Sequence, residues 1–305
     1  MLKNKIKNQE KGILLYGLTP PKVNNTEERI REIAAKQLQR IQALDIDGLV
    51  LYDIQDEKDR TDKERPFPFL QTVDSYTYSR KYLKDLDLPM ITYKCAGKYT
   101  PADMKSWLEQ TRAHESFAVF VGIATDDQQV RTSLPEAYKL KADTNPNLML
   151  GGVTIPERHG ILKDEHLRVF GKQQSGCEFF VSQAVYNVQA SKDFLSDYYY
   201  HGQQHGLKYA PIIFTLTPCG SLKTLQFMDW LGISVPRWLE NDLQHSHDIL
   251  QKSVETCKNI AAELIDFATE KQIPIGFNIE SVAIRREEIE ASEQLTHQVG
   301  KLLGR

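Results

Sequence analysis

The stretch 48-GLVLYDI-54 is an almost unbroken apolar run, too short for a helix, with a single carboxylate, Asp53, near its end. Runs of this kind are strands buried on both faces, which is the environment of a parallel sheet. Seven more occur along the chain: 13-ILLYGL-18, 89-PMITYK-94, 117-FAVFVGI-123, 148-LMLGGV-153, 178-EFFVSQ-183, 211-PIIFTL-216 and 273-IPIGFNI-279. Segments with helical character separate them. Eight such units predict an α/β fold, a single (β/α)8 TIM barrel over 1–305, with 1–11 as a polar N-terminal extension. In that fold the loops after the strands carry the active site. A doubly wound open sheet is the rival, but it would open on a Gly-rich turn, and 17-GLTPPKVNN-25 is not one.

Between the strands, 26-TEERIREIAAKQLQRIQAL-44 carries an apolar stripe at helical spacing, with Thr26 placed to cap it. Further helices are expected at about 74–86, 101–114, 129–141, 163–175, 190–206, 221–231, 245–270 and 284–299, with Gly176 and Gly206 as C-terminal stops. The stretch 236-PRWLENDL-243 is extra to a minimal unit. The charged segment 55–71 has no stripe and reads as a long loop at the catalytic end.

The 305 residues carry a net charge of −3, which argues against a nucleic-acid footprint. No apolar run is long enough to span a membrane, and 1-MLKNKIKNQEKG-12 has no apolar signal core, so a soluble, cytoplasmic protein is expected. The pattern leaves room for a homo-oligomer. Cys95, Cys177, Cys219 and Cys257 are scattered and read as buried thiols. The pair of histidines in 201-HGQQH-205 lacks the glutamate of a zinc-helix motif, so no metal site is expected. His245 and His247 read as solvent-facing, Tyr198 to Tyr200 as packing, and Arg285 and Arg286 as a solvated first helical turn.

Chemistry is expected at the carboxyl ends of the strands. The polar residues there are Thr19, Asp53, Gln55, Tyr93, Lys94, Thr125, Asp126, Asp127, Thr154, Glu157, His159, Gln183, Thr215, Thr217, Asn278 and Glu280. No pair among them spells a reaction, and many such residues cap helices or solvate loops.

Four patches together resemble the methylenetetrahydrofolate reductase family: 19-TPPK-22, 155-IPERH-159, the run 163-KDEHLRVFGKQQSGCEFFVSQAVYN-187, and 211-PIIFTLTP-218 with 234-SVPRWL-239. The resemblance implies a barrel that binds a reduced folate and FAD and takes its hydride from NADH or NADPH. It places Gln183 on the pterin ring and His159, Glu165 and Lys172 around the flavin, with Tyr93 where the family has a flavin-contacting histidine. Asn278 falls in the strand-eight segment, assigned to the substrate. The family's general-acid glutamate falls on Gly17 or Tyr16, and its flavin-tuning aspartate on Ile123 or Ala124. Glu280 is the leading substitute for the acid, because strands one and eight are neighbours in a closed barrel, and Asp53 is the next. The alternatives are a catalytically retired folate- or flavin-binding paralogue with a regulatory role, or a barrel of the folate-linked methyltransferase type.

Overall fold

The computed structural model describes residues 1–55, 61–114, 116–122 and 130–305. Eight parallel strands close into a barrel in chain order: β1 (Ile13–Leu18), β2 (Gly48–Leu51), β3 (Met90–Cys95), β4 (Phe117–Val121), β5 (Met149–Thr154), β6 (Phe179–Ala184), β7 (Ile212–Leu216) and β8 (Ile275–Glu280). β8 pairs with β1 and closes the seam, Ile13 opposite Gly276 and Gly17 opposite Glu280. Each strand falls on one of the eight apolar runs, its ends within three residues of those of the run.

The strands are buried on both faces, as their composition requires. Alternate residues point inward, so Leu15, Val50, Ile91, Val119, Phe179, Val181 and Ile213 fill the barrel. The intervening residues, such as Leu14, Leu49, Phe120, Phe180 and Phe277, pack under the helices. Gly276 is required at the seam: a Cβ there would stand 2.3 Å from the carbonyl oxygen of Ile13.

Twelve α-helices lie among the described residues. α1 (Leu2–Lys7) precedes the barrel. α2 (Glu27–Ile41), α3 (Ser75–Tyr82), α4 (Pro101–Thr111) and α5 (Leu134–Thr144) follow the first four strands. β5 is followed by two helices, α6 (Pro156–Leu162) and α7 (Glu165–Gln174), and β6 by α8 (Val188–His205). After β7 come α9 (Leu222–Trp230), α10 (Arg237–Gln244) and α11 (Ile249–Lys271), and α12 (Arg286–Leu302) closes the order. The caps act as their residue types dictate: Thr26 accepts from the Arg29 amide, and Gly206 ends α8 in the left-handed region. None of these helices is long and apolar enough to cross a membrane.

Two readings need correction. Residues 1–11 are not a mere polar extension, because Leu2 and Ile6 of α1 are buried and join the barrel's inner cluster, closing its lower end. The charges of that segment concealed a two-residue apolar stripe at i and i+4. The helix expected from about 163 is preceded by another, α6, which takes in most of 155-IPERH-159 and is begun by Pro156 at its first position, where a missing N–H costs nothing. All four cysteines are buried thiols outside any disulfide among the described residues.

Candidate functional site

A cavity of about 850 Å³ opens at the carboxyl ends of the strands. That volume is near the top of the roughly 300–1,000 Å³ range of single-ligand sites. Its floor is the top inward-facing layer of the barrel, where Gly17, Tyr52, Tyr93, Gln183, Thr215 and Glu280 meet.

The floor is a connected polar chain. Asn278 lies one layer below Glu280 on the same face of β8 and is fully buried. Its amide donates to the Thr215 hydroxyl at 3.2 Å and to the Tyr52 phenol oxygen at 2.8 Å. Tyr52 in turn donates to Glu280. Burial pushes the Glu280 carboxyl up to about 7, with the Tyr52 hydrogen bond opposing the shift. A carboxylic acid poised near neutrality is what general acid–base work requires. Neither neighbouring arginine neutralises it: Arg285 lies near Glu287 and Glu288, and Arg286 pairs with Glu290.

Gly17, where the resemblance expects the acid, is opposite Glu280 in the β1–β8 register. A Cβ on Gly17 would come within 2.9 Å of the Tyr52 ring and hydroxyl. Glu280 thus places a carboxyl one strand away at the same height, and Tyr52 occupies the space beside Gly17. Tyr93 packs edge-on against Tyr52, ring centres 4.8 Å apart.

On β6 the pairing with β7 shifts between Val181 and Ala184, a bulge of the kind that re-aims side chains beside sites. Within it, the Gln183 amide donates to the Leu231 carbonyl at 2.8 Å. The tether fixes the amide's orientation and leaves its carbonyl oxygen for the cavity.

Asp53 lines the cavity but is committed elsewhere. It accepts from the Cys95 amide at 2.8 Å, from the Tyr99 hydroxyl at 3.2 Å and from the Lys98 ammonium. Its carboxylate oxygens are thus taken up by neighbours on β3 and the turn after it, whereas Glu280 forms part of the cavity floor.

Two of the residues expected around a cofactor do not reach the cavity. Glu165 is fully buried and accepts from the Thr154 hydroxyl, the Ile155 amide and, at 2.8 Å, the Arg158 guanidinium. Its role is to hold Arg158, which does line the cavity. His159, one residue on, points into the helical layer, bonded to Asp197 at 3.0 Å and packed against His166 and Phe194. His159, His166 and Asp197 bring ligand-type atoms within 4.8 Å of one another, outside the cavity. Lys172 reaches the cavity, its ammonium donating to the Val153 carbonyl at 2.6 Å. Thr125, Asp126, Asp127, Ile123 and Ala124, and part of the 55–71 loop, lie outside the described residues.

Several lining residues escaped the sequence reading, among them Lys22, Tyr52, Arg65, Arg158 and Arg168. Lys22 and Arg158 sat inside quoted motifs, and the sequence carried no sign of which neighbour in each motif would face inward.

The chain aligns over 99% of its length with 99% of a Clostridium thermocellum protein, at 54% identity and a TM-score of 0.89. This chain belongs to that protein's family. The Clostridium member of the family is described as binding two copies of 5-methyl-5,6,7,8-tetrahydrofolic acid. Dihydropteroate synthases from Xanthomonas albilineans and Vibrio fischeri align at 11% and 10% identity, with TM-scores of 0.44 and 0.45. Those alignments cover 95% and 97% of this chain and 92% and 93% of theirs, and no functional argument rests on them. No family model and no curated protein matches the chain.

Proposed function

We propose that this protein binds a reduced folate in the cavity at the carboxyl ends of the strands and acts on it as a divergent reductase of the methylenetetrahydrofolate type. The observation that carries this reading is the placement of Glu280 opposite Gly17, hydrogen-bonded by Tyr52 and facing the cavity. The folate part is supported by the relative that binds 5-methyltetrahydrofolate at 54% identity. That relative takes two copies, and the same stoichiometry is the expectation for this chain.

In this reading the Gln183 amide reads the donor and acceptor edge of the pterin, a pairing that side-chain amides suit. Glu280, protonated in a good share of molecules at neutral pH, gives its proton to a folate nitrogen bearing the one-carbon bridge. The C–N bond on that side then breaks, its electron pair stays on nitrogen, and the carbon becomes an electrophilic iminium. A hydride from NADH or NADPH completes the methyl group. Tyr52 and Asn278 hold Glu280 in place.

FAD is the hydride relay that the resemblance to methylenetetrahydrofolate reductases implies, and when bound it would supply that chemistry. Arg158, Arg168 and Lys172 offer an anion-binding wall of the kind a diphosphate uses. The expected contacts from Glu165 and His159 are sealed off. The residues therefore match the flavin's charge but not its expected set of contacts, and no step is derived through it.

The sealed contacts, together with the relative's capture of a methylated folate, favour as a second reading a binding protein without turnover. One assay separates the two: oxidation of NADH and NADPH by 5,10-methylenetetrahydrofolate, with and without added FAD. The reductase reading expects folate-dependent oxidation that Glu280→Gln slows by about 10²–10⁴ with folate affinity retained. Folate binding with no oxidation under any of these conditions establishes the second reading instead.

A further inference from the structure

The cavity carries two cationic walls on opposite sides of its floor. One follows β1 and β2, where Lys22 and Arg65 lie close enough to repel each other. Arg65 stacks over the Trp230 ring at 4.6 Å. The Lys22 ammonium donates to the Leu70 carbonyl at 3.1 Å and pairs with no carboxylate among the described residues. The other wall follows β5, where Arg158, Arg168 and Lys172 line the cavity. There Arg158 is paired with Glu165 and Arg168 with Asp164, and Lys172 pairs with no carboxylate among the described residues.

Each wall thus keeps one lysine whose ammonium donates to a backbone carbonyl and forms no ion pair among the described residues. Burial lowers the pKa of both ammonium groups, and at Lys172 it outweighs the opposing pull of Glu165, so part of the cost of removing each cation from water is left unmet. An anionic ligand seated beside each would offset that cost. β1 and β5 are diametrically opposed in an eight-stranded barrel, so one small anion cannot satisfy both lysines.

A reduced folate is a neutral pterin joined to a glutamate tail with two carboxylates. Resting on the folate reading above, we infer that two reduced folates lie in the cavity with their tails opposed, one on the Lys22 and Arg65 wall and the other on the Arg158, Arg168 and Lys172 wall. The first places its pterin on Gln183 and Glu280. The second occupies the wall that the resemblance gives to a flavin diphosphate, so folate and flavin exclude each other there.

The test is calorimetric titration of the full chain with 5-methyltetrahydrofolate. The wild type is expected to bind two equivalents. Arg168→Ala with Lys172→Met leaves the Arg158–Glu165 pair intact and is expected to bind one, the other weakened at least tenfold. An unchanged circular dichroism spectrum and melting point confirm that the variant is folded. 5-Methyltetrahydropteroate, the same pterin without the glutamate, is expected to bind the wild type at least tenfold more weakly at both sites. One equivalent in the wild type overturns the inference and leaves the folate reading standing. Two undiminished equivalents in the variant, or with the tail-less ligand, overturn the wall assignment. No binding at all overturns the folate reading itself.

Discussion

Glu157 is buried and Glu280 half-buried, and both carboxyls have raised pKa values, yet their surroundings give them different work. Glu280 faces the cavity and receives a hydrogen bond from Tyr52, which leaves it at about 7 and able to exchange its proton. Glu157 is sealed between α6 and the loop after β6, where it meets no side-chain donor among the described residues. The backbone amides of Tyr186 and Asn187 favour its charged form, but burial outweighs them and pushes it up to about 8. Its unperturbed value is 4.5, so between pH 4.5 and 8 the folded chain holds a proton that the unfolded chain releases. Its contribution to stability is complete below 4.5, falls as pH rises through that window, and levels off above about 8. Glu157→Gln keeps the shape without the titration. Urea unfolding at pH 5 and at pH 9 should show a smaller loss of stability in this variant, by an amount on the order of 2–4 kcal/mol. An equal pH dependence in both proteins would show that Glu157 keeps its ordinary acidity in the fold.

Among the elements, the strands were legible because burial on both faces writes itself into short apolar runs, and all eight were read within a few residues. The site was legible where strand alternation decides direction. Glu280 and Gln183 follow from counting by two along β8 and β6, and both line the cavity. It was illegible where a helix decides direction. In 155-IPERH-159 Ile155 and Arg158 line the cavity while His159 turns outward, since neighbours on a helix are about 100° apart and nothing in five residues fixes the phase. Glu165 was legible as important but not as a support, because its partners come from β5 and α6. α1 was missed for want of length. Ile6→Ala is expected to cost about 2–5 kcal/mol in unfolding free energy, because the barrel's own side chains around it are too tightly packed to fill the space it leaves. Folate titration should be unchanged, since α1 and the ligand cavity are at opposite ends of the strands. A loss of binding would show that the two ends are coupled.

The folded chain as a unit should respond to ligand through mass action. A ligand held only by the folded form at 100 times its dissociation constant adds about 2.7 kcal/mol per site. For a domain of this size that is a rise in melting temperature of roughly 4 °C per site, so two occupied walls give about twice the shift of one. Thermal melts against increasing 5-methyltetrahydrofolate measure this, and no rise at any concentration would contradict folate binding. The β1–β8 seam has one more consequence. Its two strands come from nearly opposite ends of the chain, yet they share the floor on which Gly17 meets Glu280. Contacts between such distant parts of a chain form late, because the loop between them must be closed before they contribute. A chain still emerging from the ribosome therefore has Gln183 and both cationic walls before it has the acid, and it cannot hold a folate on a finished floor until β8 is in place. The ligand then selects completed barrels after they close and does not template them, so folate supply would set how long finished chains survive and not how fast they form.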